Sequence, residues 1–239
     1  MEPITEPRDR FNLCKALLLI ERDIKALEEQ NIHTLDRNVL QRLDAGDSLA
    51  LKLFTSLAPR DMLELTLEYV DRKYNTDELT RSSDCTLCLD LITHPFRVTR
   101  IGDYKIRNLY RTFEPEYGTL SILHVAKASK PHMKCIMHND LDVDDNHLLC
   151  GEVLTIIRTM LGQLKQTVFV NDMVAPILLF SLNRRHPRVM EAYFDGQELL
   201  IRHTKPYDFT FLNIAGFKTF AQWYLGDPIG ITSREAMRT

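Results

Sequence analysis

The sequence predicts an α/β protein with a mixed sheet of about five strands and flanking helices. Two observations predict this class. Stretches with an apolar residue at every third or fourth position alternate along the chain with short runs rich in β-forming residues. The pair Asp195-Gly196 also separates two such runs, and an Asp-Gly pair is the strongest short-range signal for a β-hairpin. At 239 residues, the chain is long enough to bury a substantial core.

The first part of the chain predicts helices. Along the first of them, apolar residues recur at spacings of four and three and form one stripe: Leu13, Leu17, Ile20, Ile24 and Leu27. Shorter helices are expected over about 34–43, 48–57 and 59–74. The polar, turn-like stretch that follows leads us to expect a helical N-terminal region over residues 1–80 and a sheet-containing core over residues 81–239.

The core region predicts strands on both sides of one long helix. Residues 96–101 and 104–110 alternate in polarity around the Gly102-Asp103 turn, so we expect them to pair. The other expected elements are a strand covered on both faces over 120–126, a helix over 146–165, a strand over 177–182 and a last helix over 217–225. We expect the aromatic side chains of this last helix to pack on the sheet.

Composition and charge exclude several classes of protein. The chain has 30 basic and 33 acidic residues and a net charge of −3, so it lacks the positive field that drives generic nucleic-acid binding. No run approaches the ~18 apolar residues of a membrane span, and no N-terminal stretch has signal-peptide character. Five cysteines, an odd number, do not suggest a disulfide framework. We therefore expect a cytoplasmic protein with reduced thiols and keep the nucleus as the alternative.

Two cysteine-containing motifs raise the question of a zinc site. Cys85 and Cys88 form a CxxC pair, and Cys135 and His138 have the spacing of a second pair. Zinc needs four ligands in a tetrahedron, which a set of three cysteines and one histidine could supply. The gap between the two pairs is much longer than in zinc-finger modules, and free cysteines are often simply buried. We therefore predict no cofactor and keep zinc as the alternative.

The segment 140–147 concentrates aspartates at alternating positions, as calcium-binding loops do. Asp145 stands where an EF-hand loop needs glycine, and Gly151 stands where that loop needs a bidentate glutamate. These two departures exclude an EF-hand. We expect instead that Asp144 or Asp145 caps the helix that follows.

The order of the elements is similar to that of the nuclease fold that carries a PD-(D/E)xK pattern. In this resemblance Asp103 would be the first acidic ligand of magnesium, and Lys127 would be the lysine. The second carboxylate should stand two positions before the lysine, but Val125 occupies that position. Magnesium needs carboxylate anchoring. The resemblance therefore implies a degenerate nuclease-like core, and we expect no magnesium- or manganese-dependent cleavage of DNA or RNA.

A basic turn from Arg184 to Arg188 separates two predicted strands. Its arginines and His186 could bind phosphate or an acidic partner. Polar loops at the end of a sheet are, however, commonly just solvated. The sequence alone leaves these alternatives open.

Four segments near the C-terminus carry a family resemblance: APILLFSL at 175–182, RVMEAYFDGQ at 188–197, IRHTKPYDF at 201–209 and FAQWYLGDP at 220–228. Together they resemble a group of uncharacterised proteins of filamentous ascomycete fungi. The resemblance covers the last third of the chain and brings no assigned chemistry with it. It implies a small intracellular protein that is encoded, in some cases, among secondary-metabolite genes.

These observations predict a non-catalytic accessory or binding protein whose partner is a protein or a small molecule. The alternative is a hydrolase, an isomerase or a nuclease-like enzyme whose site is assembled from residues that are distant in sequence: Asp103, His124, Lys127 and Glu191. A concave site that gathers such side chains would favour an enzyme. An exposed aromatic or basic patch on a well-packed core would favour a binding protein.

Overall fold

A computed structural model describes residues 8–35, 109–112, 114–125 and 128–233. The elements in chain order are helix α1 (Arg8–Glu29), strands β1 (Thr34–Leu35), β2 (Tyr110–Arg111), β3 (Tyr117–His124), β4 (Met133–Asn139) and β5 (Leu148–Leu149), helix α2 (Cys150–Leu164), a 3₁₀ turn (Thr167–Phe169), strands β6 (Ile177–Asn183), β7 (Arg188–Phe194) and β8 (Leu199–His203), and helix α3 (Ile214–Leu225). The predicted α/β class is confirmed.

The main sheet has six described strands in the order β2-β3-β4-β6-β7-β8. Strands β4 and β6 are parallel, and every other pair of neighbours is antiparallel. The parallel pair is possible because α2 carries the chain back between the two strands, as parallel pairing requires. Strands β1 and β5 form a separate antiparallel pair beside the first turn of α2.

Two differences from the predicted sheet concern its first half. The sequence assigns no strand to 133–139, yet β4 lies in the middle of the sheet, so the sheet has six described strands rather than about five. The strand predicted over 120–126 runs from Tyr117 to His124, and most of it is half-buried rather than covered on both faces. The hairpin predicted around Gly102 lies outside the described residues, apart from its last two positions.

Helices α1 and α2 cover one face of the sheet. The predicted stripe on α1 is confirmed, because Leu13, Leu17 and Ile24 are buried and the other two members pack against the same core. Alternate residues of β4, β6 and β7 complete this core, in accordance with the period of two in a strand. Residues 8–29 therefore share a hydrophobic core with the sheet. The domain boundary expected at residue 80 lies outside the described residues.

Helix α3 covers the opposite face, as its aromatic content predicts. Phe220 and Tyr224 are buried against Phe180 of β6, with ring centroids 5.9 and 5.5 Å from that ring. The end of α3 is held by Lys134 of β4, whose Nζ donates hydrogen bonds to the carbonyls of Trp223, Tyr224 and Gly226. Burial lowers the pKa of Lys134 to about 8. A cation at the C-terminus of a helix also complements the helix dipole.

The predicted hairpin at Asp195-Gly196 is confirmed. Strands β7 and β8 are antiparallel, and the pair Phe194↔Leu199 closes a loop of residues 195–198. The Asp195 carboxylate accepts hydrogen bonds from the backbone N–H groups of Gln197 and Glu198, both at 2.8 Å. Gly196 has a φ of 107°, a conformation that residues with a Cβ atom rarely adopt.

Replacing Gly196 with valine is expected to lower the free energy of unfolding by ~1 kcal/mol or more, because a β-branched residue is strained at positive φ. Urea unfolding followed by circular dichroism measures the change. The matched control is Gln197→Val in the same exposed turn, which is expected to shift stability by less than ~0.5 kcal/mol. Equal stability of the two variants would contradict the prediction.

Candidate functional site

The structure does not bring His124 and Glu191 together. His124 pairs with Met133 at the end of β3 and lies on the sheet face that α1 and α2 cover. Burial lowers its pKa. Glu191 lies on the α3 face and forms an ion pair with Arg202 at 3.5 Å. Asp103 and Lys127, the other two residues proposed for an enzymatic site, lie outside the described residues.

Cys135 and His138 lie on opposite faces of β4, because residues three positions apart in a strand point to opposite sides. Cys135 is fully buried in the core beneath α2, and burial raises the pKa of its thiol to about 12. The His138 ring lies on the other face, 5.9 Å from the ring of Tyr110. These two residues therefore do not form half of a zinc site, and Cys85 and Cys88 lie outside the described residues. In the described part of the chain, no group of three or more His, Cys, Asp or Glu side chains is placed to hold a metal ion.

The acidic segment 140–147 and the basic turn 184–188 lie against each other. They follow β4 and β6, whose parallel register places Asn139 beside Asn183. Arg184 in the basic turn pairs with Asp140 at 3.1 Å and with Asp142 at 3.2 Å. Much of the charge of both motifs is thus compensated within the molecule.

The expected helix cap is wrong. Helix α2 begins after Leu149, whose backbone N–H donates to the Glu152 carboxylate at 2.9 Å. Asp144 instead accepts hydrogen bonds within its own loop, from the His147 ring and from the backbone of Asn146. The hydrogen bond from His147 is the main reason that the pKa of Asp144 is lowered. The sequence pattern does not reveal this arrangement because the cap position holds leucine, and the helix begins later than the aspartates suggest.

A buried charge network joins α2 to strands β6 and β7. Arg188 and Glu152 are both fully buried, with the Arg188 Nε 3.0 Å from Glu152 Oε1 and a second bond between Nη2 and Oε2. Asn183 donates to the same carboxylate at 3.0 Å, and Ser181 donates to Asn183 at 2.9 Å. Burial acts to raise the pKa of Glu152, but the Arg188 charge and the hydrogen bonds outweigh it, so the pKa lies below its ordinary value.

Arg188 also holds the loop that contains Asp144 and His147. Arg188 Nη1 donates to the backbone carbonyls of Asp144 and His147, at 3.3 and 2.9 Å. The neighbouring helix turn is also tightly packed, because a Cβ atom at Gly151 would lie 2.8 Å from the Tyr117 ring. The buried charges of Glu152 and Arg188 at this end of the sheet are therefore paired within the molecule and hold α2 to the strands.

One exposed surface has a different character. The apolar loop, which we define as residues 209–214, connects β8 to α3 and ends with the first residue of that helix. Its side chains at Phe211, Leu212 and Ile214 are 80%, 50% and 47% exposed. No role is predicted for this segment from the sequence, although the apolar cluster FTFLNI is visible there.

The backbone of the apolar loop is fixed by hydrogen bonds at both ends. Asp208 accepts from the backbone of Thr210 at 2.8 Å, and its own carbonyl accepts from Asn213 at 3.0 Å. Asn213 also caps α3 by accepting from the backbone of Gly216 at 2.8 Å. The Phe209 ring packs edge-on against Phe220, so the loop is anchored in the core beneath α3.

Two cations flank the apolar loop. The backbone carbonyl of Arg185 accepts a hydrogen bond from Phe209 at 2.8 Å, and Lys218 lies one helical turn after Ile214. Neither the Arg185 nor the Lys218 side chain has a hydrogen bond or an ion pair among the described residues. The apolar loop thus combines exposed apolar side chains with uncompensated positive charge.

Within the described ranges, no helix has the length and apolar character needed to cross a membrane. Comparison with protein-family models, with curated protein sequences and with solved structures finds no match to this chain.

Proposed function

We propose that this protein is a non-catalytic binding component that contacts a protein partner through the apolar loop. The observation that carries the proposal is the exposure of Phe211, Leu212 and Ile214 on a fixed backbone. Exposed apolar clusters on an otherwise well-packed protein are characteristic of interaction sites. Fungal secondary metabolism is the setting that we propose, because residues 175–228 resemble uncharacterised proteins of filamentous ascomycetes, some of which are encoded among secondary-metabolite genes.

The energetics of the loop favour binding. Burying one large apolar side chain contributes roughly 1.5–3 kcal/mol, and Phe211 is 80% exposed in the free protein. Because the hydrogen bonds that Asp208 accepts from Thr210 and Asn213 already fix the backbone, little additional ordering of the loop is needed when a partner covers it. A rigid apolar anchor of this type is the usual centre of a protein interface.

The shape of the site favours a protein over a small molecule. Small-molecule sites are concave and bury most of the surface of their ligand. Phe211 and Leu212 instead project from a loop between a strand and a helix. The enzymatic alternative has no comparable support, because His124 and Glu191 lie on opposite faces of the sheet.

The test is binding to a partner identified by cross-linking in the cells that encode the protein. We expect the double variant Phe211→Ser/Leu212→Ser to bind the purified partner at least ~30-fold more weakly than the wild type, since truncating interface anchors costs about 2 kcal/mol or more. Calorimetry measures the affinity.

The matched control is Ile231→Ser, which truncates another exposed apolar side chain, 67% exposed, outside the loop. It should leave the affinity unchanged. Circular dichroism and urea unfolding establish that all variants are folded. Equal affinity of the wild type and the double variant would refute the proposal, as would the absence of any partner cross-linked at position 211.

A further inference from the structure

We infer that the partner presents an acidic peptide segment whose apolar side chains cover the apolar loop and whose carboxylates pair with Arg185 and Lys218. This inference rests on the proposed function, because it names the chemistry of the partner at the same surface. Acidic side chains on both sides of an apolar anchor are the feature that we expect to define that segment.

Several basic side chains in this part of the chain are already paired. Arg184, Arg202 and Lys205 each lie within 4 Å of a carboxylate of the same chain. Arg185 and Lys218 have no such partner among the described residues, and both adjoin the apolar loop, since the Arg185 carbonyl bonds Phe209 and Lys218 is four residues after Ile214. Their charge is therefore available to a second molecule.

One carboxylate, that of Asp208, adjoins the apolar loop and is ionised. Asp208 is engaged by the backbone and side chain of Thr210, and that interaction is the first cause of its lowered pKa. His186, which also contributes to lowering the pKa of Asp208, lies 3.8 Å from the Asp142 carboxylate and is therefore not counted as free charge. Arg185 and Lys218 outnumber Asp208 at the rim of the apolar loop, on a protein whose net charge is −3. An acidic partner would be attracted to this rim rather than to the molecule as a whole.

The placement of the two cations indicates how the carboxylates are distributed in the partner. Arg185 lies on the sheet side of the loop, where its carbonyl bonds Phe209. Lys218 lies on the helix side, on the same face of α3 as Ile214. A segment with leucine, phenylalanine or tryptophan between acidic residues would satisfy both the apolar and the charged part of this surface.

The experiment is selection of short random peptides, displayed on phage, against the immobilised full-length protein. We expect the enriched peptides to combine aspartate or glutamate with large apolar residues. Synthetic copies are then titrated against the wild type, Phe211→Ser/Leu212→Ser and Arg185→Glu/Lys218→Glu. The matched control is Lys15→Glu/Lys25→Glu, which makes the same change of charge at two exposed lysines of α1.

We expect the Arg185→Glu/Lys218→Glu variant to bind the peptides at least about tenfold more weakly and the α1 control to bind them within about twofold of the wild type. Affinity should also fall as salt is raised from about 0.05 to about 0.5 M. Two results would contradict an acidic partner and leave the apolar loop as the interface. One is that the enriched peptides are neutral or basic. The other is that Arg185→Glu/Lys218→Glu binds them as tightly as the wild type.

Three other outcomes also decide the matter. Peptides that bind the Phe211→Ser/Leu212→Ser variant as tightly as the wild type would refute both the acidic segment and the proposed function. Failure to enrich any peptide would overturn the acidic segment. If the wild type sediments with phosphatidylserine vesicles and Phe211→Ser/Leu212→Ser does not, while peptide binding is the same for both, the partner is a lipid surface rather than a peptide.

Discussion

Replacing Arg188 with methionine is expected to lower the free energy of unfolding by about 3–5 kcal/mol, because the substitution leaves the Glu152 carboxylate buried without its counter-charge. Methionine fills much of the volume of the arginine stem, so the loss is electrostatic rather than a cavity effect. The variant also removes the hydrogen bonds that hold the Asp144 and His147 carbonyls. Urea unfolding at neutral pH measures the change.

The matched control is Arg184→Met, four positions earlier in the same turn. Arg184 also pairs with two carboxylates, but its side chain is 50% exposed, so its loss should change stability by less than about 1 kcal/mol. The double variant Arg188→Met/Glu152→Met should be less destabilised than Arg188→Met alone, because it removes the unpaired charge. A loss below about 1 kcal/mol in Arg188→Met would show that the pair does not hold α2 to the sheet.

Replacing Arg10 with methionine is expected to lower the free energy of unfolding by about 2–4 kcal/mol. Arg10 of α1 is 2% exposed and donates to the carbonyls of Leu164, Gln166 and Phe169 at the end of α2. Leu164 is the last residue of α2, so its carbonyl has no partner within the helix, and without the guanidinium it is left buried and less well satisfied. Thermal and urea unfolding measure the loss.

Hydrogen exchange measures the effect locally. In Arg10→Met, the backbone amides in the last turn of α2 are expected to exchange faster, and those in the rest of the helix are expected to change less. The control is Arg8→Met, an exposed arginine in the first turn of the same helix, which should be within ~0.5 kcal/mol of the wild type. If both variants lost the same stability, the effect would come from helix α1 itself and the cap on α2 would be unimportant.

Sequence patterns predict those elements whose formation depends on residues that are close in sequence. The stripe of leucines and isoleucines on α1, the Asp195-Gly196 turn and the aromatic face of α3 all agree with the structure, because each depends on residues within one or two turns of each other. Strand β4 is not predicted, because it depends on residues that are distant in sequence. Its methionines and cysteine are not β-branched, and its place in the sheet is determined by the distant neighbours β3 and β6.

The candidate sites depend even more on long-range contacts. Glu152 and Arg188 are 36 residues apart in sequence, so no spacing rule could pair them. The Cys135 and His138 spacing suggests two ligands on one turn, but in a strand it separates them across the sheet. The apolar loop could have been noticed as an apolar cluster, although only the structure distinguishes exposed side chains at Phe211 and Leu212 from core residues.

The close packing at Gly151 also limits how this protein can diverge. A methyl group at that position would meet the Tyr117 ring at 2.8 Å and the Asn139 amide at 3.1 Å, and all three residues come from different elements. A larger residue at 151 is therefore compatible with the fold only when position 117 becomes smaller at the same time. Among descendants of a common ancestor, these two positions should therefore change together or not at all.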